Sequence, residues 1–163
     1  MQKITPIQLN EIKALMDLLY FESLDVAINA PGIEDDLKDF TSYLTGDQPI
    51  DITSLSEKEA FVLNIALIKQ LKTDVLRSHV IHTAVEYNMY GIGAVKNAGD
   101  NLELLDNHLN NVGLPPFYSL SELQLNDLVK TIERLGRSKQ KKESEDQTQN
   151  LLDELNMPTE PTD

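Results

Sequence analysis

Between Glu57 and Tyr90 the chain reads EKEAFVLNIALIKQLKTDVLRSHVIHTAVEYNMY, 34 residues without a glycine or a proline. Ser56-Glu57-Lys58-Glu59 opens the stretch. This is a capping box: the serine hydroxyl takes up an orphan N–H of the first turn, and the glutamate reaches back to the serine amide. Leu55 and Ala60 are placed to act as its hydrophobic staple. Nothing inside the stretch stops a helix, so the spacing predicts one helix of roughly 50 Å at about 1.5 Å per residue. A break at Lys72-Thr73-Asp74 is the alternative, because few helices in single domains run so long. Apolar residues are densest from Ala60 to Leu71 and from Val75 to Tyr90. An element apolar over so much of its circumference belongs at the centre of a fold. Gly91-Ile92-Gly93 ends it, with a hinge between two helical halves as a second use of these glycines.

Working outward, helix signals continue on both sides. Thr5-Pro6-Ile7-Gln8 combines a capping threonine, a proline at the first helical position and a glutamine three residues after the cap. The apolar residues from Ile7 to Ala30 then predict one helix, stopped by Pro31-Gly32 because the residue before proline avoids helical geometry. A shorter helix is expected from Ile33 to Leu44, with Leu37, Phe40, Tyr43 and Leu44 inward and Gly46 as its cap, followed by a loop over Asp47–Thr53. On the C-terminal side a helix from Asp100 or Asn101 to Asn111 carries Leu102, Leu105 and Leu109 and closes at Gly113. Leu114-Pro115-Pro116-Phe117 is a stiff connector. Ser119-Leu120-Ser121-Glu122 reads as another capping box, opening a helix to Leu135 capped by Gly136. Strand patterns are nearly absent. The expected fold is all-α, an irregular bundle of about five helices with a long central helix, spanning residues 1–136. Ser-Leu-Ser-Glu occurs at 54–57 and again at 119–122, but the apolar spacing after it differs, so it reflects helix-start chemistry and not a duplicated unit.

Residues 137–163 form a different object. Their only large apolar side chains are Leu151, Leu152, Leu155 and Met157. That is too little burial to offset an ordering cost of roughly 1–2 kcal/mol per residue, so a mostly disordered, flexible tail is expected. Within it, residues 148–156 can form a short docking helix that puts Leu151, Leu152 and Leu155 on one face, the shape of a segment that enters a partner's groove.

Composition narrows the chemistry. The 163 residues hold 27 acids and 14 bases, a net charge of −13, with no cysteine and no tryptophan. Disulfides, thiolate zinc sites and cysteine nucleophiles are therefore excluded. No apolar run approaches the roughly 20 residues that span a bilayer, and the N-terminus lacks a signal-peptide pattern. The expectation is a soluble, cytoplasmic protein. Charge is uneven: residues 1–60 sum to −8, Arg137–Lys142 to +4, and Glu143–Asp163 to −7. An acidic body repels phosphate backbones and anionic membranes.

Each local motif for chemistry fails on spacing or context. His79, His82 and Glu86 form His-x-x-His-x-x-x-Glu on the long helix and are the candidate metal ligands, but the Glu-x-x-His pairs of a di-metal bundle are missing. Gly91-Ile92-Gly93 has Lys96 where a dinucleotide fingerprint needs a third glycine, and it follows a helix. Glu34-Asp35-Asp36 with Asp39 complements a helix dipole and does not build a calcium loop. There is no Gly-x-Ser-x-Gly elbow. The one basic cluster comprises Lys130, Arg134, Arg137, Lys139, Lys141 and Lys142, followed directly by acids and without aromatics for base stacking. No cofactor is expected. The reading is a non-catalytic helical protein–protein interaction factor, such as an adaptor, assembly chaperone or scaffold-type protein. Leu151, Leu152 and Leu155 would be its partner-binding residues, within a larger assembly. A nucleic-acid-associated regulator using the basic cluster at 130–142 is the alternative, and a metal-dependent enzyme the second alternative.

Overall fold

The computed structural model describes residues 2–43, 50–93 and 97–156, without the side chains of residues 41–43. The all-α expectation is met. Among the described residues there are six α-helices: α1 (Pro6–Leu18), α2 (Leu24–Asn29), α3 (Asp35–Tyr43), α4 (Glu57–Glu86), α5 (Ala98–Asn111) and α6 (Glu122–Leu155). Two 3-10 turns, Ile52–Ser54 and Phe117–Ser119, link them. The β pairing is an isolated bridge between Lys3 and Ser56. The expected cap Gly46 and the inward Leu44 lie outside the described residues. The chain divides into two compact units, Met1–Ser78 with Pro116–Glu122, and His79–Pro115 with Leu123–Asp163.

The first unit is built by α1, α2, α3 and the first part of α4. Thr5 caps α1 as its sequence predicts: its hydroxyl accepts from the Gln8 amide at 3.2 Å, and its own amide donates to Gln8 Oε1 at 3.0 Å. The single helix predicted from Ile7 to Ala30 is instead two. Tyr20 takes a left-handed conformation (φ 58°), the Phe21 amide donates to the Met16 carbonyl at 2.9 Å, and the Tyr20 amide donates to that of Asp17 at 3.1 Å. This is the hydrogen-bond pattern of a Schellman motif, here with tyrosine where glycine is usual. Ser23 then caps α2 through the Val26 amide. Leu24 and Ala27 turn inward beside Ile12, Met16, Leu19, Leu37, Phe40, Leu63 and Leu67 in one apolar core, with Phe21 packed against it. Packing the partly buried Phe21 against this core supports the turn that a tyrosine alone would disfavour.

The central helix α4 is continuous through Lys72-Thr73-Asp74. Its capping box forms: Glu59 Oε2 accepts from the Ser56 amide at 2.7 Å, and Ser56 Oγ accepts from the Glu59 amide at 3.3 Å. Those bonds from the Ser56 amide and hydroxyl favour the ionised carboxylate and hold Glu59 below its ordinary value. The N-terminal strap secures this end, with the Ile4 amide donating to the Leu55 carbonyl at 2.9 Å and the Glu57 amide to that of Gln2 at 3.0 Å. The helix stops at Glu86, four residues before the expected end at Tyr90. Asn88 sits at φ 48°, and the Met89 amide donates to the Ala84 carbonyl at 2.8 Å. Asparagine tolerates this conformation, so it ends the helix before the glycines are reached.

The second unit takes the remainder of α4, α5 and α6 from Leu123 onward. Among the described residues, Val80, Ala84, Ile92, Leu105, Leu109, Leu125, Leu128, Val129 and Ile132 are its buried apolar residues. Asn97 caps α5 by accepting from the Asp100 amide at 2.8 Å, so the helix starts earlier than Asp100 or Asn101. It closes at Gly113 (φ 77°) as expected. The Asn101 side chain brackets Gly93, accepting from its amide at 3.2 Å and donating to its carbonyl at 3.0 Å. Tyr90 stacks on His108 with ring centroids 3.8 Å apart, and burial pushes its phenol up.

Two expectations about α6 need correction. Ser119 lies in a 3-10 turn and Leu120 is extended (φ −71°, ψ 134°), so the helix opens at Glu122, directly after Ser121. Gly136 is not a cap but an interior residue of the helix. A Cβ there would lie 2.3 Å from Tyr87 Cγ, so glycine allows the α6 backbone to meet the ring. The helix then continues to Leu155, and every side chain from Arg137 to Asn156 is exposed. The lack of burial matches the expected tail. Its helical form follows from a run without glycine or proline between Arg137 and Met157.

Candidate partner-binding surfaces

The residues that hold the first unit's turns together were not singled out from sequence. On the buried face of α4, after Leu67, the apolar pattern is broken by Gln70, Thr73 and Arg77, all buried. Each has a defined task. Gln70 Oε1 accepts from the Glu34 amide at 3.0 Å, and Thr73 Oγ1 donates to Glu34 Oε1 at 3.0 Å. Arg77, only 6% exposed, donates from Nη1 to Asp74 Oδ1 at 2.8 Å and from Nη2 to the Gly32 carbonyl at 2.7 Å and the Tyr118 carbonyl at 3.3 Å. Its guanidinium lies 5.4 Å from the centre of the Tyr118 ring. Gly32 sits at φ 75°, and a Cβ there would lie 2.7 Å from Tyr118 Cδ1. One cation thus ties the Pro31-Gly32 turn, the Phe117–Ser119 turn and α4 together. The signal in sequence was three polar residues at 3–4 spacing where the buried stripe should continue.

Around this clamp is a cleft of about 500 Å³, bordered by Leu18, Tyr20, Phe21, Val75, Arg77 and Tyr118 among others. Leu18, Tyr20 and Val75 are exposed large apolar side chains on its rim. Its two charged groups, Asp74 and Arg77, are paired with each other, so the arrangement is a brace with an aromatic rim. Among the described residues, the buried Arg77 Nε has no hydrogen-bond partner.

The outward face of α4 carries a second apolar feature. Phe61, Ile65, Ile68 and Val75 are exposed and fall on one face at 4-3-7 spacing, with Lys72 filling the gap. Beside them Val62, Ile65 and Ala66 meet Asp36, Asp39 and Phe40 along a groove of about 480 Å³ between α3 and α4. Lys69 is occupied at this edge, pairing with Asp36 at 2.6 Å and Glu34 at 3.3 Å. Hydrogen bonding to Asp36 pushes the Lys69 ammonium up.

The candidate metal ligands His79, His82 and Glu86 are exposed along α4. Among the described residues no set of three histidine or carboxylate side chains is arranged to hold a metal ion. Of the basic cluster, Lys130, Arg134, Arg137 and Lys141 recur at 4-3-4 spacing and so share one exposed face of α6, whereas Lys139 and Lys142 point elsewhere around the helix. Acids accompany several of them: Arg137 meets Glu133 at 4.0 Å, Lys139 meets Glu143 at 4.0 Å, and Lys141 meets Glu145 at 3.8 Å. The hydrogen bond that the Arg137 guanidinium donates to Tyr87 is the main cause of its raised pKa. Leu151, Leu152 and Leu155 all lie on the exposed helix beyond Gly136, the last of them 82% exposed. Among the described residues no helix is long and apolar enough to cross a membrane. No family model, no curated protein and no solved structure matches this chain.

Proposed function

We propose that this protein is a non-catalytic helical interaction factor, of the adaptor, assembly-chaperone or scaffold kind, with the second half of α6 as its docking arm. The observation that carries this reading is the placement of the arm's leucines. Leu151, Leu152 and Leu155 are exposed roughly 20–30 Å along the helix beyond Gly136, the last of the residues (Leu125, Leu128, Val129, Ile132 and Gly136) that α6 buries in the second unit. While the helix is continuous, these leucines cannot enter that core, so burying them takes another molecule. The exposed apolar face of α4 adds a body surface of the same character. A cytoplasmic location accords with the cysteine-free composition.

The double variant Leu151→Asp/Leu155→Asp tests the reading. Both positions lie outside the cores, so the unfolding transition is expected to keep its midpoint while affinity capture from the native source loses the partners held by the unaltered chain. Capture of the same partners by the variant would overturn the arm as docking segment. The nucleic-acid alternative is favoured by one observation, the shared face of Lys130, Arg134, Arg137 and Lys141. It requires retardation of DNA or RNA that fades with rising salt. The −13 charge of the chain opposes it.

A further inference from the structure

We infer that the arm's partner is a second copy of this chain, the two α6 helices pairing antiparallel along the face that carries the basic stripe. The inference rests on the reading of α6 as a docking arm and names its occupant.

The first argument is periodicity. The stripe of Lys130, Arg134, Arg137 and Lys141 continues in unbroken 4-3 alternation through Ser144, Thr148, Leu151 and Leu155, all exposed. A 4-3 series keeps to one face of a helix, so these eight residues make one exposed seam along which a second helix can lie. The seam has cations in its first half, small polar residues at its middle and leucines at its end.

The second argument is charge order. Residues 130–142 carry six bases and one acid, and residues 143–155 carry five acids and no base. For a lone helix this is the wrong order. The C-terminal turn holds Asp153 and Glu154 with no basic residue, against the dipole. Two of the three ion pairs along it, Lys139–Glu143 and Lys141–Glu145, run in the less favourable direction. In a parallel pair the four cations of one copy would meet their own counterparts. An antiparallel pair centred between Lys142 and Glu143 places every seam residue opposite a seam residue. Lys141 meets Ser144, Arg137 meets Thr148, Arg134 meets Leu151 and Lys130 meets Leu155. The long basic side chains can then lay their aliphatic stems on the leucines, with their heads toward Glu145 and Glu154, which flank the seam.

The test uses the full chain and two charge-reversed variants, Arg134→Glu/Lys141→Glu and Glu145→Lys/Glu154→Lys, in sedimentation equilibrium at about 50 mM and about 500 mM salt. Circular dichroism confirms that each variant keeps its helices. The unaltered chain is expected to sediment at twice the monomer mass at low salt and to dissociate at least about tenfold more readily at high salt, where charges are screened over a few ångströms. Each variant alone is expected to be monomeric, and the equimolar mixture to recover the doubled mass. A monomeric unaltered chain, variants that associate as well as it does, or a mixture that fails to recover association would each overturn the proposal. If the unaltered chain is monomeric while the leucine-dependent capture above persists, self-pairing falls and the docking arm stands. If the unaltered chain pairs with itself but captures no other protein, the arm serves self-assembly alone.

Discussion

Replacing Arg77 with leucine is expected to lower stability by about 2–4 kcal/mol, measured as a shift in urea unfolding of the full chain. Leucine can fill the space along α4 but supplies no donor. The Gly32 and Tyr118 carbonyls, which Arg77 Nη2 reaches at 2.7 and 3.3 Å, would each lose a charged partner, and Asp74 would lose its ion pair. Lysine is not expected to rescue, because one ammonium cannot hold both carbonyls and the carboxylate in the planar fork that a guanidinium offers. An Arg77→Leu variant within about 0.5 kcal/mol of the parent would show the brace to be energetically idle.

At Gly136 the expected sign is the reverse of the usual one. Glycine to alanine inside a helix ordinarily gains up to about 1 kcal/mol. Here the added methyl would fall 2.3 Å from Tyr87 Cγ and 2.4 Å from its Cδ1, so the ring or the helix must move. Overpacking of this kind costs about 1–3 kcal/mol, and valine, larger and β-branched, should cost more than alanine. A lower thermal midpoint for Gly136→Ala, with the loss relieved in a Tyr87→Leu background, is the predicted outcome. A gain in the Tyr87 parent would mean the two helices approach less closely than described.

How far the sequence reached can be followed at single residues. Two helix starts were legible, Thr5 with Gln8 and Ser56 with Glu59, which form as their spacing predicts, whereas the same reading failed at Ser119 and did not find the caps Ser23 and Asn97. The continuity of α4 was legible because nothing in it breaks a helix. Ends were less so. Tyr20 and Asn88 take the left-handed conformation that turn chemistry leads one to seek in glycine, and it is tertiary packing or asparagine's tolerance that permits it. Gly136 carried the opposite ambiguity. A glycine late in a helical pattern suggests a cap, and only the facing Tyr87 shows that it marks a close approach. The buried Gln70, Thr73 and Arg77 were hidden for a similar reason, since their partners Glu34, Gly32 and Tyr118 lie 36 to 45 residues away in sequence. The leucines of the arm were visible from the start. Their exposure far beyond the buried part of α6 was not, because it depends on the helix passing through Gly136 without interruption.

Amide hydrogen exchange along α6, followed as the chain is concentrated, tests most directly whether this arm finds its shelter on another molecule. Amides from Lys141 to Leu155 are predicted to exchange quickly in dilute solution and to become protected as concentration rises, while those from Leu125 to Ile132 stay protected throughout. Protection of the arm equal to that of Leu125–Ile132 at the lowest concentration would contradict the docking arm itself, and fast exchange unchanged by concentration would contradict its pairing with a second copy.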